Sequence, residues 1–282
     1  MLPDRAIPAT TSPPAVSMET LRFLGSTSIF FRAKQGIVLK APAKILEDQV
    51  VRERSSVARH YFVERQILDR LGEHPRVVRC LGWQAEFPTG LLLAEASHGS
   101  LQHFLESQNH NIPLYLGKKW FRQAIESVAY IHSLGVIHCD LRPDNFLVHA
   151  TSPTDLDLWL CDFGGSVCEV LDLDGGGLPD AGFFDPNSVG MPTPATDIFS
   201  LGSVLYTIIT GHWPYRDPGG LFHSMEEMEQ YESRVGGLFK KGIFPVTKGL
   251  FGGEIMLGCW TQKYSNVDDI LRDPVLSTSD FS

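Results

Sequence analysis

The sequence predicts an α+β chain in two lobes, a small, mostly β lobe with one helix followed by a larger, mostly α lobe. Three observations lead there. Short β-type runs separated by small residues fill the first third of the chain, and helical periodicity takes over beyond Glu95. The charge changes sign at the same place: residues 1–93 hold 13 basic and 9 acidic side chains (+4), and residues 94–282 hold 11 basic and 24 acidic (−13).

Taken in order, Pro3, Pro8, Pro13 and Pro14 lie among Thr, Ser and Ala, a composition that buries too little surface to offset its ordering entropy. Residues 1–18 are therefore expected to form a disordered tail. Leu21–Leu24, Ile29–Phe31 and Ile37–Lys40 are β-type runs with small residues between them as turns. From Ser55 to Leu71, Val57, Phe62, Val63, Ile67, Leu68 and Leu71 recur near helical spacing until Gly72 stops the pattern. Val77–Trp83 and Leu91–Ala94 are two more strands. The small lobe then spans about 19–95 and the larger one about 96–272. In the larger lobe Trp120, Phe121, Ala124, Ile125, Val128 and Ile131 mark one face of a long helix ending near Gly135. Ile198–Ile209 is apolar on nearly all sides, as in a helix buried at the centre of a lobe. Residues 273–282 are expected to be a polar C-terminal tail.

Composition narrows the function. The 282 residues carry a net charge of −9, which disfavours nucleic acid because a negative surface repels a phosphate backbone. No run reaches the roughly 18 apolar residues of a membrane span, and no basic stretch followed by an apolar one opens the chain. No membrane association is expected. The five cysteines are odd in number and scattered, without zinc or redox spacing, and fit reduced thiols in a cytoplasmic setting, with a nuclear one equally open.

The chemistry is concentrated in Val136-Ile137-His138-Cys139-Asp140-Leu141-Arg142-Pro143-Asp144-Asn145-Phe146-Leu147-Val148, followed by Trp159-Leu160-Cys161-Asp162-Phe163-Gly164. An Asp, an Asn five residues on and a second Asp after a following strand can converge on one cleft. Such hard oxygen ligands suit Mg2+ held against substrate phosphates. These residues resemble the catalytic loop and the metal-binding Asp-Phe-Gly of the eukaryotic-type protein kinases. The resemblance runs from about Leu21 to Arg272, and its other elements follow in order: Lys40 ending Ile-Val-Leu-Lys, Glu64 on the next helix, His74-Pro75, and Thr196-Asp197-Ile198-Phe199-Ser200-Leu201-Gly202.

The resemblance implies the following roles. Asp140 would orient the acceptor hydroxyl and take its proton, Asn145 and Asp162 would hold Mg2+, and Lys40 paired with Glu64 would grip the α and β phosphates of ATP. Arg142 stands where the family has a lysine facing the γ-phosphate. Gly25 belongs to the nucleotide-covering loop, Val38 and Leu147 would sandwich the adenine, and Leu68, Cys80, His138 and Phe163 would stack between the lobes above Asp197.

Several positions depart from the family. Gly25 is the single glycine of Phe23–Phe30, and which family glycine it represents is open; Val38 replaces a smaller alanine. Cys139 replaces an arginine that clamps phosphorylated activation loops, and Ser166 is the only hydroxyl-bearing residue between Gly165 and Asn187, so activity without activation-loop phosphorylation is expected. The closing Ala-Pro-Glu is Asp185-Pro186-Asn187, and no arginine follows Cys259-Trp260 within Thr261–Asn266. Losing one member of a buried pair costs about 3–5 kcal/mol, whereas losing both is nearly neutral, so the double absence reads as a coherent variant. An Arg142–Asp180 contact is expected in place of the family's lysine–threonine contact.

The resemblance thus implies an ATP- and Mg2+-dependent protein kinase. Pro143 favours a serine/threonine acceptor, and the acidic second lobe favours a basic protein or peptide substrate. A pseudokinase binding nucleotide or a partner without phosphotransfer is the alternative. A small-molecule kinase of the aminoglycoside or choline type is a third, opposed by Asp197 and Asp-Phe-Gly. Oligomeric state is left open.

Overall fold

The computed structural model describes residues 19–24, 28–43, 51–108, 112–177, 179–188, 190–217 and 222–277. The expected tail over residues 1–18 and the glycine Gly25 lie outside the described residues. The first lobe is a five-stranded antiparallel sheet of order β1-β2-β3-β5-β4, built from β1 (Glu19–Leu24), β2 (Ser28–Lys34), β3 (Ile37–Pro42), β4 (Cys80–Gln84) and β5 (Gly90–Ala94). Helix α1 (Val51–Leu71) packs on it.

In β3 Leu39, Lys40 and Ala41 are buried in succession, as in a strand covered on both faces, while α1 turns Val57, Tyr61, Glu64, Ile67, Leu68 and Leu71 inward at the i, i+3, i+4 spacing of a helix. One expectation is corrected there. Phe62 is 58% exposed and Tyr61 occupies the buried face instead, because one residue along a helix rotates a side chain by roughly 100°. A second correction concerns Val77–Trp83. The strand is Cys80–Gln84, and Val77 makes a parallel bridge to Leu160 instead, so this stretch joins the first lobe to the second.

The second lobe holds α2 (Leu101–Ser107), α3 (Leu114–Ser133), β6 (Val136–Ile137), β7 (Phe146–Ser152), β8 (Asp155–Leu160), β9 (Val167–Cys168), β10 (Leu173–Asp174), α4 (Pro194–Thr210), α5 (Met225–Lys240), α6 (Gly253–Trp260), α7 (Val267–Leu271) and α8 (Pro274–Ser277). The α3 face expected from sequence is fully buried against α4, β8 and α7. Helix α4 is buried from Asp197 through Ile208, opened by a Thr193–Thr196 capping box and closed by Gly211 at φ 83°. Within the expected tail over residues 273–282, α8 folds back: Leu276 is buried and its carbonyl accepts from Arg122. The isolated leucine gave no periodicity from which to read this. Among the described residues no helix is long and apolar enough to cross a membrane.

Candidate active site

Lys40 comes from β3, where pairing with Phe30 of β2 and Leu91 of β5 fixes its register. Its side chain is buried and its Nζ donates to Glu64 of α1 at 2.7 and 3.0 Å and to Asp162 Oδ1 at 2.7 Å. Burial alone would drive the proton off this ammonium. The Asp162 and Glu64 carboxylates overrule it and hold the group charged, well above the ordinary lysine range. Burial raises the Glu64 carboxyl despite Lys40, whereas at Asp162 the lysine outweighs burial and holds the carboxyl low. Tyr61, absent from the sequence reading, lies three residues before Glu64 on the same helix face. Its ring centroid is 5.9 Å from Lys40 Nζ and its Oη donates to Ser28 Oγ at 2.8 Å. The i, i+3 spacing to Glu64 was the available signal.

The loop after β6 is held from below. Asp197, fully buried at the start of α4, accepts from the backbone N–H of His138 at 2.7 Å and of Cys139 at 2.9 Å, and contacts His132 Nε2 at 2.9 Å. Cys139 takes φ 67°, which turns the chain sharply enough to present Asp140. Its buried thiol faces Ile137 O, and burial raises it far above the ordinary cysteine range. Phe163 packs against His138 with ring centroids 5.0 Å apart and planes tilted by 59°, with Leu68 buried and Cys80 half-buried against the same core.

Asn145 ends a 3-10 turn, Pro143–Asn145, and its Nδ2 donates to Asp140 O at 2.7 Å and Oδ2 at 3.0 Å. Asp140 is mostly buried, its Oδ1 has no hydrogen-bond partner, and burial pushes its carboxyl up to about 7 despite the pull of Arg142. Arg142 pairs with Asp180 and lies 3.4 Å from Asp144. The Arg142–Asp180 contact expected from sequence is therefore present. Asp162 follows β8 in a left-handed conformation, φ 65°. Val38 faces Leu93 across the sheet, and Leu147 on β7 pairs with Trp159 and bridges Ser100.

The donor set fits magnesium. Asn145 turns its amide nitrogen toward Asp140, which leaves its carbonyl oxygen free of that contact, and the Lys40–Glu64–Asp162 group holds two carboxylates against one ammonium. Two oxygen donors suffice for an ion that keeps waters and takes substrate phosphates.

One pair lay beyond the sequence reading. Buried Asp185 accepts from Gln262 Nε2 at 2.9 Å and from the Asn187 backbone N–H at 2.9 Å. A carboxylate–amide bond thus occupies the region where the expected ion pair is missing.

Comparison with known proteins agrees with this geometry. The serine/threonine-protein kinase GIN4 of Saccharomyces cerevisiae is 29% identical over 177 residues, 57% of this chain and 14% of that protein. The serine/threonine-protein kinase chk-1 of Caenorhabditis briggsae is 29% identical over 164 residues, 56% of this chain and 32% of that protein. Mitogen-activated protein kinase kinase kinase 7 of Homo sapiens is 29% identical over 198 residues, 67% of this chain and 32% of that protein. The chain corresponds to a third or less of the length of these relatives. The family model for the protein kinase domain matches residues 25–241, most of the chain and the stretch from Lys40 through Asp197 that holds the catalytic loop and its anchors, and the chain therefore belongs to the protein kinase family.

Proposed function

We propose that this chain transfers the γ-phosphate of ATP to a serine or threonine hydroxyl of a protein or peptide substrate. The observation that carries the reading is the convergence of Lys40 on Glu64 and Asp162, beside an Asp140 braced by Asn145. The serine/threonine kinase names of two of the relatives described above support the acceptor class.

Phosphoryl transfer asks little covalent chemistry of the protein, so positioning and charge neutralisation dominate. Lys40, fixed by two carboxylates, presents a rigid positive charge to the α and β phosphates. Asn145 and Asp162 would hold Mg2+, which when bound neutralises phosphate charge. Asp140 orients the acceptor hydroxyl through its unpartnered oxygen and receives its proton. Arg142 lies close enough in sequence and space to face the transferred group, and its planar guanidinium is anchored by Asp180 and Asp144. Val38 and Leu147 contribute apolar walls for the base, and Gly25 belongs to the loop covering the phosphates. The same acidic surroundings favour a basic peptide, since complementary charge speeds encounter and orients the partner.

The test is transfer from radiolabelled ATP with Mg2+ to a generic basic peptide, comparing wild type with Asp140→Asn and Lys40→Met. Loss of roughly a hundredfold or more is expected in both variants, the scale of a lost general base or charge stabiliser. Equal background in all three proteins would favour the non-transferring alternative.

A further inference from the structure

Between Gly165 and Asn187 the only hydroxyl is that of Ser166, and it is fully buried with its Oγ donating to His138 O at 3.2 Å. Cys139 is apolar and buried where a phosphate-clamping arginine would be needed. The segment is nonetheless tightly held. After Asp162-Phe163-Gly164-Gly165, β9 pairs with β6 and turns through Asp172 (φ 52°) into β10, and the chain then runs back beside its own start. Gly175 N donates to Ser166 O at 2.8 Å and Gly177 N to Gly165 O at 3.0 Å.

This return is backbone against backbone. A Cβ on Gly165 would meet Gly177 Cα at 2.8 Å, one on Gly177 would meet Gly165 O at 2.7 Å, and one on Gly175 would overlap Gly164 O and the Gly165 backbone. None of those atoms is the end of a flexible side chain, so the contact excludes every residue but glycine at these three places. Gly176 between them faces open space. Gly164 in turn lies against α1 at His60, 3.2 Å from a Cβ placed on it, and His60 is one helical turn before Glu64. An exposed Arg59–Asp174 pair at 3.8 Å spans the same junction and adds little by itself.

We propose that Gly165, Gly175 and Gly177 are positioning residues. Their clasp seats the Asp162 turn against α1 and so assembles the Lys40–Glu64–Asp162 group without a phosphate on the segment. This rests on the proposed phosphotransfer, and its test therefore includes a readout that does not. Hydrogen–deuterium exchange over residues 163–177 and 57–64 is measured on the full chain before and after phosphatase treatment, alongside peptide phosphorylation. Protection in both stretches and activity unchanged within about twofold by phosphatase are expected, because a contact made only of backbone has no phosphate to lose. Gly175→Ala and Gly177→Ala are each expected to raise exchange in both stretches and to lower kcat by roughly tenfold or more, the scale of a misplaced catalytic group. Gly176→Asn is expected to change neither, since asparagine tolerates its left-handed φ of 71°. Rapid exchange over 163–177 in wild type, activity abolished by phosphatase, or Gly177→Ala with wild-type exchange and kcat each overturns the clasp. Exchange protection is readable even if the alanine variants do not fold or if wild type transfers no phosphate; the latter result would count against the proposed function alone.

Discussion

His138 has both ring nitrogens committed, and this makes it a pH-sensitive element of stability. A backbone N–H can only donate, so Nδ1 accepts from Asp140 N at 3.3 Å; a carbonyl can only accept, so Nε2–H donates to Cys161 O at 2.9 Å. The ring is therefore neutral, and burial holds it below the ordinary histidine range despite the attraction of Asp197. The unfolded chain takes up a proton near pH 6.5 while the folded chain does not, so this site removes stability as pH falls below about 6.5, by up to roughly 1.4 kcal/mol per unit. Thermal unfolding between pH 7.5 and 5.5 should show the decline, and replacing His138 with Phe should flatten it. A slope unchanged in that variant would assign the effect elsewhere. Asp185 supplies a second test at this scale. Gln262→Ala removes one of the two hydrogen-bond partners of its side chain and should cost about 1.5–3 kcal/mol, the worth of a hydrogen bond to a carboxylate, read as a lower Tm.

Elements set how far these residues could be read from sequence. His138, Asp140, Asn145 and Asp162 were legible because the loop and the two short strands around it keep them nearly contiguous. Lys40 and Glu64 were legible through the resemblance, which sets a lysine at a strand end and a glutamate on the next helix, whereas Phe62 shows that helical period alone misjudged which neighbour points inward. Asp185 and Gln262 lie 77 residues apart on no common pattern, and a search for arginine passes over an amide. Gly175-Gly176-Gly177 reads as a loop; its partner Gly165 is found only when the β9–β10 hairpin closes. The Arg142–Asp180 pair, expected from sequence, links the catalytic loop to the later part of this segment. Both side chains are partly exposed, so a double-mutant cycle with Arg142→Gln and Asp180→Asn should give a coupling of about 0.5–1 kcal/mol in thermal unfolding. Strict additivity would mean the contact contributes nothing.

At the scale of the whole molecule, one group joins the two lobes electrically. Lys40 of the first lobe is the counter-ion of Asp162 in the second, and Val77 and Leu160 knit the same junction through backbone pairing. The charge division, +4 before the junction and −13 after it, agrees with a nucleotide held between the lobes and a basic acceptor approaching the second. Thermal unfolding of the full chain titrated with ATP, with and without Mg2+, tests that picture most directly, because a ligand bound only by the folded state raises its stability in proportion to the logarithm of concentration. The expected result is a rise in Tm that grows with ATP, is larger with Mg2+, and loses its Mg2+-dependent part in Asp162→Asn. No shift at millimolar nucleotide with Mg2+ would contradict the nucleotide site and the phosphotransfer built on it.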